Sequence, residues 1–455
     1  MADTYDLIVI GGGPAGYLAA ERAGEAGLSV ALFEKRALGG VCLNEGCIPT
    51  KTFLNSAKIY AHALHGEAYG VSADGLRLDH AAVLKRKADV VAKLVGGVTY
   101  TLKEKKVTVI EAEARIEGKA EGGFAVSGGG AEAVAPKLII AAGSKPIVPP
   151  IPGVAEGVEA GYVYTSREIL DIGHVPESLI IVGGGVIGLE MADYFAVAGA
   201  KVTVVEMLDK IAGPFDRDIS QILKKNLEAK GVAFLLGAKV TAVSKGGVKA
   251  EVNGEAVDVP GEAVLLSIGR RPAPEGLSLE KIGVLVENGA VVTGTHLQTN
   301  VPGVYAAGDI NGKIMLAHTA YREAEVAVNH IIGKPDDMKY DAIPSVIYTQ
   351  PEAAYVGETE ETAAAKGLRV TVKKLPMMYS GRYVAENDGG DGICKLLIDD
   401  SAGRIVGAGL IGGYASETIL SATALIGLGI PIESAKRIVF PHPTVGEIIR
   451  ETLFS

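Results

Sequence analysis

Cys42 and Cys47 stand in C-x4-C spacing within "GGVCLNEGCIPTK", residues 39–51, and a chain of 455 residues with three cysteines has placed two of them side by side. Close thiols can hold a metal, exchange with a substrate thiol, or do neither. A zinc site usually needs a second close cysteine pair or two accompanying histidines. The remaining cysteine, Cys394, lies in the apolar run "GICKLLID" and reads as an ordinary core residue, so no metal site is expected. On an ideal helix, residues five apart have Cα atoms about 8 to 9 Å apart, beyond the disulfide limit of about 7 Å. Gly39, Gly40 and Gly46 supply the backbone freedom for a distorted turn, which leaves both a bridged pair and two separate thiols open. A bridge across so short a loop would stabilise by only about 2 kcal/mol and would open readily. Lys51 follows Cys47 by four residues, and on a continuing helix its ammonium would favour thiolate over thiol.

A second reactive candidate is His442 in "FPHPTVGEIIRETL". Prolines on both sides hold it in an extended segment. Taken alone it reads as a surface or interface histidine, and Thr444 with Glu447 reads as a capping box at the helix that follows.

The elements that position these groups are visible in two repeats. "LIVIGGGPAG" is a short β-branched run ended by a glycine turn, followed by helix formers and a second run, "LSVALFE", that ends in Glu34. The device recurs as "SLIIVGGGVIGLEMADYFAVAGAKVTVVE", ending in Glu206; Gly11 to Glu34 and Gly183 to Glu206 are the same 23-residue interval. In such βαβ units Gly11 or Gly183 permits the turn, Gly13 or Gly185 lets the backbone approach a pyrophosphate, and Gly16 or Gly188 lets helix and strand pack. The terminal acid accepts hydrogen bonds from a ribose, and at Glu206 its charge opposes a 2′-phosphate, favouring NAD over NADP. A further core strand is expected at Lys137 to Ala141, and strand ends that line such crevices at Gly269 in "SIGRRP" and at Gly308 and Asp309 in "VYAAGD". After Pro335, shorter strands alternate with helices, which suggests a separate α+β domain.

Composition narrows the partners. With 44 basic and 54 acidic residues, a net charge of -10 and no basic cluster interleaved with aromatics, nucleic acid is not an expected partner. The apolar stretches "DLIVI" and "ILSATALIGLGIPI" are shorter than the roughly 20 residues that span a bilayer, so no membrane partner is expected either. Few cysteines and no basic-plus-apolar leader at "MADTYDLIVIGGG" fit an intracellular, cytoplasmic protein.

In order along the chain, "GGGPAG" with Glu34, "GGVCLNEGCIPTK", "AAGSKP", "GGGVIGLE" with Glu206, "SIGRRP", "VYAAGD", "LAHTAYREA" and "HPTVGE" resemble the flavoprotein pyridine nucleotide-disulfide oxidoreductases over essentially the whole length. The resemblance implies an α/β fold with two Rossmann-like dinucleotide-binding domains plus a C-terminal α+β dimerisation domain. The divisions expected are 1–148 for FAD, 149–268 for NAD, 269–338 completing the FAD domain, and 339–455 for the interface of a homodimer. It makes Cys42 and Cys47 a redox disulfide, with Cys42 the interchange thiol and Cys47 facing the flavin. FAD would be held by Gly11, Gly13, Gly16, Glu34, Lys51, Gly143, Asp309 and the helix starting at Ala317, and NAD by Gly183, Gly185, Gly188, Glu190, Glu206 and Gly269. Lys51 would pair with Glu190, while His442, oriented by Glu447, would reach the disulfide of the partner subunit.

Within the family, an acid at Glu206 followed by "MLDK" instead of arginines speaks for NAD, and the ending "RETLFS" lacks the extra redox pair of mercuric and larger thioredoxin reductases. The implied reaction is oxidation of protein-bound dihydrolipoamide to lipoamide with NAD. The partners would be lipoyl domains of a 2-oxo acid, acetoin or glycine cleavage complex. The alternatives are a glutathione-like reductase and a flavin-binding protein without turnover. Val41 stands where the family often has threonine, and Pro441 precedes the histidine.

Overall fold

A computed structural model describes residues 2–455, which divide into two compact units. The first comprises residues up to Thr52, Lys85–Ile147 and Gly269–Lys339; the second comprises Phe53–Leu84, Val148–Ile268 and Tyr340–Ser455.

In the first unit the apolar runs Leu7–Ile10, Val30–Glu34 and Lys137–Ile140 pair in parallel, flanked by Val304–Ala306 and Thr108–Glu111 at the edges. Near-continuous apolar strands are what a parallel sheet covered on both faces requires. Helix Pro14–Glu25 starts directly after the first glycine turn, with proline in its first turn where a missing N–H costs nothing. An antiparallel meander of Arg115–Ala120, Gly123–Gly128 and Ala131–Ala135 leads into the core strand Lys137–Ile140.

The second unit repeats the arrangement. Its parallel sheet runs Val163–Tyr164, Ala263–Leu266, Ser178–Val182, Lys201–Val205, Ala233–Leu235. Helix Val186–Val197 follows the second glycine turn. The C-terminal part is an antiparallel sheet in the order Ser345–Ile347, Glu352–Gly357, Arg404–Gly412, Ile393–Asp399, Val370–Pro376. Helices Ala415–Gly427 and Ile448–Phe454 contribute Ile419, Ala422, Ile448 and Leu453 to its core.

One segment departs from the boundaries read in sequence. Residues 53–84, taken there as part of the first domain, group with the second unit. Phe53, Leu54 and Ala57 are buried in a cluster with Leu189 and Tyr194, and the Phe53 and Tyr194 ring centres are 4.5 Å apart. No glycine or proline marks the change, because it falls inside the continuous helix Cys47–Leu64. Among the described residues no helix is long and apolar enough to cross a membrane.

Lys395 interrupts an apolar strand and is 2% exposed. Its ammonium donates to Asp216 at 2.8 Å, to Asp218 at 3.1 Å and to Glu360. Burial opposes the charge, but the hydrogen bonds to Asp216, Glu360 and Asp218 outweigh it and lift the ammonium above its ordinary range. Asp216 also caps helix Arg217–Ala229 by accepting from Asp218 N. Lys395→Met is therefore expected to destabilise the protein by about 3 kcal/mol, because it leaves the buried Asp216 carboxylate uncompensated. Urea denaturation of the variant against the parent measures this.

Candidate active site

The two glycine turns are built alike. Gly11 and Gly183 have φ of +101° and +106°, and a Cβ at Gly16 would lie 1.7 Å from Gly11 O, as one at Gly188 would lie 2.3 Å from Gly183 O. No side chain fits at Gly16 or Gly188, so at these two positions the helix backbone lies directly against the glycine turn. Gly13 and Gly185, extended at φ -73° and -80°, immediately precede helices Pro14–Glu25 and Val186–Val197 and form their N-caps. The first-turn N–H groups of these helices have no side-chain cap, an arrangement suited to phosphate oxygens.

The terminal acids close the same loop in both units. Glu34 Oε2 accepts Gly12 N–H at 2.7 Å and Oε1 accepts Arg36 N–H at 2.7 Å. Glu206 Oε2 accepts Gly184 N–H at 2.6 Å and Oε1 accepts Leu208 N–H at 2.8 Å. Each carboxylate is thus fixed by backbone beside its glycine turn, with lone pairs remaining for ribose hydroxyls.

Asp309, at the end of strand Val304–Ala306, accepts the Ser144 hydroxyl, and Arg270 donates to Ser144 Oγ at 2.8 Å and to Ser144 O at 2.9 Å. Strands Ser144–Pro146 and Arg270–Pro272 pair antiparallel, which aligns these groups. Burial pushes the Arg270 guanidinium below its ordinary value, while Asp309, Glu45 and Cys47 pull it back. The motifs "AAGSKP" and "SIGRRP" contain these residues, but sequence gives no sign that Ser144 and Arg270 meet. Gly143 (φ +73°) precedes Ser144, and Gly269 (φ +110°) opens the last segment of the first unit. Ala317 begins helix Ala317–Ile331, whose Glu323 accepts Gly308 N–H at 2.6 Å and so fixes the turn before Asp309.

The cysteine segment is two helices with a break. Gly40–Glu45 contains Cys42, Gly46 departs from helical geometry at φ -149° and ψ -108°, and Cys47–Leu64 starts anew. This break is the distortion the spacing demands, and it brings the two thiols into hydrogen-bonding contact. The Cys47 sulfur, followed by burial, raises the Cys42 thiol well above the usual range, and Lys51 partly offsets this. The second proton of the pair is therefore hard to remove. Lys51 lies one turn into the helix that Cys47 opens, at the end whose partial positive charge favours an anion. Glu190, in helix Val186–Val197 of the second unit, is buried and accepts Tyr348 N–H at 2.9 Å.

At the C-terminus, His442 Nδ1 lies 2.9 and 3.2 Å from the two Glu447 carboxylate oxygens. Glu447 is 8% exposed, whereas the His442 side chain is 76% exposed. The capping box is not formed: Thr444 precedes the 3-10 turn Val445–Glu447 without a side-chain cap, and its hydroxyl donates to Pro441 O. Glu447 is engaged by the histidine, so Nδ1 is fixed and Nε2 is left as the outward nitrogen.

The family model described as pyridine nucleotide-disulphide oxidoreductase matches residues 5–324, and that of the same family's dimerisation domain matches residues 343–453. The chain belongs to the pyridine nucleotide-disulphide oxidoreductases. It is similar to dihydrolipoyl dehydrogenase of Mycoplasma pneumoniae, at 37% identity over 98% of this chain and 97% of that one. To the Bacillus subtilis dihydrolipoyl dehydrogenase it is 38% identical over 99% and 98%. The crystal structure of LpdA from Mycobacterium tuberculosis superposes with a TM-score of 0.90 at 25% identity, covering 99% of each chain.

As a pyridine nucleotide-disulphide oxidoreductase the protein is an enzyme that works with FAD and NAD(H). The residues fit both groups: each glycine turn rejects a Cβ, each helix start leaves N–H groups without a side-chain cap, and each acid is held beside its turn.

Proposed function

We propose that this chain oxidises protein-bound dihydrolipoamide to lipoamide with NAD as acceptor, through a Cys42–Cys47 redox disulfide. The observation that carries the reading is the contact of the two thiols across the break at Gly46, beside Lys51. The full-length similarity to proteins named dihydrolipoyl dehydrogenase supports the substrate.

Gly11, Gly13, Gly16, Glu34, Lys51, Gly143, Asp309 and the helix from Ala317 would hold FAD, with Ser144 and Arg270 fixing Asp309. Gly183, Gly185, Gly188, Glu190 and Glu206 would hold NAD. Bound FAD supplies a two-electron relay between a thiolate and nicotinamide. The protein's own part is thiol chemistry. His442 Nε2 takes a proton from one substrate thiol, and the resulting thiolate attacks Cys42 Sγ. The Cys42–Cys47 bond breaks and Cys47 leaves as thiolate. The second substrate thiol then attacks its neighbouring sulfur, closes the lipoamide disulfide and releases Cys42, which takes the second proton; two electrons and two protons have left the substrate, one proton held on His442 and one on Cys42. Glu447 keeps His442 in one orientation and stabilises its cation during the exchange.

The dimerisation domain supports a homodimer, and in this reading each copy supplies its His442 to the disulfide of the other. Lipoyl domains of a 2-oxo acid, acetoin or glycine cleavage complex would deliver the dithiol. Steady-state comparison of NAD and NADP, each with dihydrolipoamide, glutathione and thioredoxin, tests the assignment. NAD is expected to be preferred by about two orders of magnitude in kcat/KM, because the fixed Glu206 carboxylate opposes a 2′-phosphate. Preference for glutathione with NADP would replace this reading with that of a glutathione-like reductase.

A further inference from the structure

Two tyrosines that sequence reading passes over meet beside the glycine turn on which the cysteine segment also rests. Tyr17 sits one turn into helix Pro14–Glu25 and Tyr321 one turn into helix Ala317–Ile331, 304 positions apart in the chain. Their hydroxyls are 2.5 Å apart, and their rings meet edge to face at 6.0 Å. Gly308 permits this approach: a Cβ there would lie 3.1 Å from Ala15 Cβ and 3.4 Å from Ala320 Cβ. The cysteine segment is tied to the same place, since Gly39 N donates to Gly12 O at 2.8 Å and a Cβ at Gly40 would lie 2.6 Å from Gly13 Cα.

We propose that the Tyr17–Tyr321 hydroxyl pair is a built-in hydrogen-bond donor for the Cys42 sulfur whenever that sulfur carries negative charge. The inference rests on Cys42 being the sulfur that exchanges with substrate. Two phenols hold two protons, and only one is used between them. Among the described residues neither hydroxyl has a second protein partner, so one O–H is left to donate. Donation from one hydroxyl into the other polarises the free O–H and strengthens the bond it makes. Burial is the main reason both phenols stay protonated far above the physiological range. A charge on Cys42 acts on both tyrosines, and a charge on Cys47 acts on Tyr321 as well. The other charged or titratable groups in this setting are Cys47 and Lys51 on Cys42, and Glu21 on Tyr17. Lys51 and the Cys47 backbone N–H already favour a charged Cys42, and neutral phenols add a further favourable interaction without adding charge.

The step is a hydrogen bond and transfers no proton, so it calls for no further reactant. Its test uses the full-length, flavin-loaded Cys47→Ser protein, in which Cys42 titrates without its neighbour. Iodoacetamide alkylation of Cys42, followed by mass spectrometry across pH, reads its thiolate midpoint. Adding Tyr17→Phe and Tyr321→Phe together is expected to raise that midpoint by about one unit, a roughly tenfold slower alkylation below it. Each single substitution is expected to shift it by no more than the pair does, because the two hydroxyls act as one unit. Flavin content and melting temperature of the variants serve to exclude a folding effect. An unmoved midpoint in the double variant overturns the proposal. Reaction with an aromatic disulfide separately tests the exchange assignment: Cys47→Ser should react and Cys42→Ser should not. The reverse order would sink the role of Cys42 while the midpoint still decides that of the tyrosines.

Discussion

Cys42→Ser and Cys47→Ser are each expected to lower kcat/KM for dihydrolipoamide by about four orders of magnitude or more, because a serine can neither form nor release a disulfide. Both thiols stand at one break between helices, and no other group can take over. Cys394 is fully buried, and burial pushes its thiol up to about 12, which leaves it inert. The loss should be confined to thiol chemistry. Transfer from NADH to ferricyanide, which bypasses the dithiol, should remain within about threefold of the parent. Measuring both activities on one preparation distinguishes a missing sulfur from a damaged fold. Retained dihydrolipoamide turnover in either variant would place the exchange elsewhere.

The next largest effect is expected at His442. His442→Gln should cost about three orders of magnitude in kcat/KM for dihydrolipoamide, the usual scale for removing a positioned general base. Glu447→Gln should cost only about tenfold to a hundredfold, because the amide oxygen can still accept from Nδ1–H while the charge that stabilises the imidazolium is lost. The order of the two effects is the informative part. Glu447 is buried and reaches no substrate except through the exposed imidazole. An amide at Glu447 that cost more than loss of His442 itself would show that the carboxylate has a separate role. The check is kcat/KM across pH for both variants, with the ferricyanide activity as control.

The fold was legible in sequence where chain-local rules apply. Each βαβ unit announces itself through an apolar run, a glycine turn, a helix and an acid at a fixed interval, and the strands, helices and terminal acids form as that pattern requires. Gly46 likewise marks the break between Cys42 and Cys47, where a Cβ would lie 3.0 Å from Val41 O.

What sequence could not give was contact between distant parts of the chain. Ser144 and Arg270 are 126 positions apart and meet only because two short strands pair. Tyr17 and Tyr321 each sit one turn into a helix without a local cue for the other. Lys395 appears misplaced in an apolar strand until Asp216, Asp218 and Glu360 close around it. The capping box that Thr444 and Glu447 suggest when read alone does not form; the carboxylate meets His442 five residues upstream, the partner that the family resemblance implies. The change of unit at residue 53 lies inside one helix, where composition and breakers carry no signal.

Anaerobic addition of one equivalent of dihydrolipoamide to the oxidised flavin-loaded protein, quenched with acid and alkylated for mass spectrometry, addresses the thiol chemistry directly. The peptide spanning Cys42 and Cys47 should pass from an unalkylated, bridged form to one carrying a label on each cysteine, with lipoamide formed in equal amount. A peptide that is labelled before the dithiol is added, or that stays unlabelled after lipoamide has formed, would contradict the account.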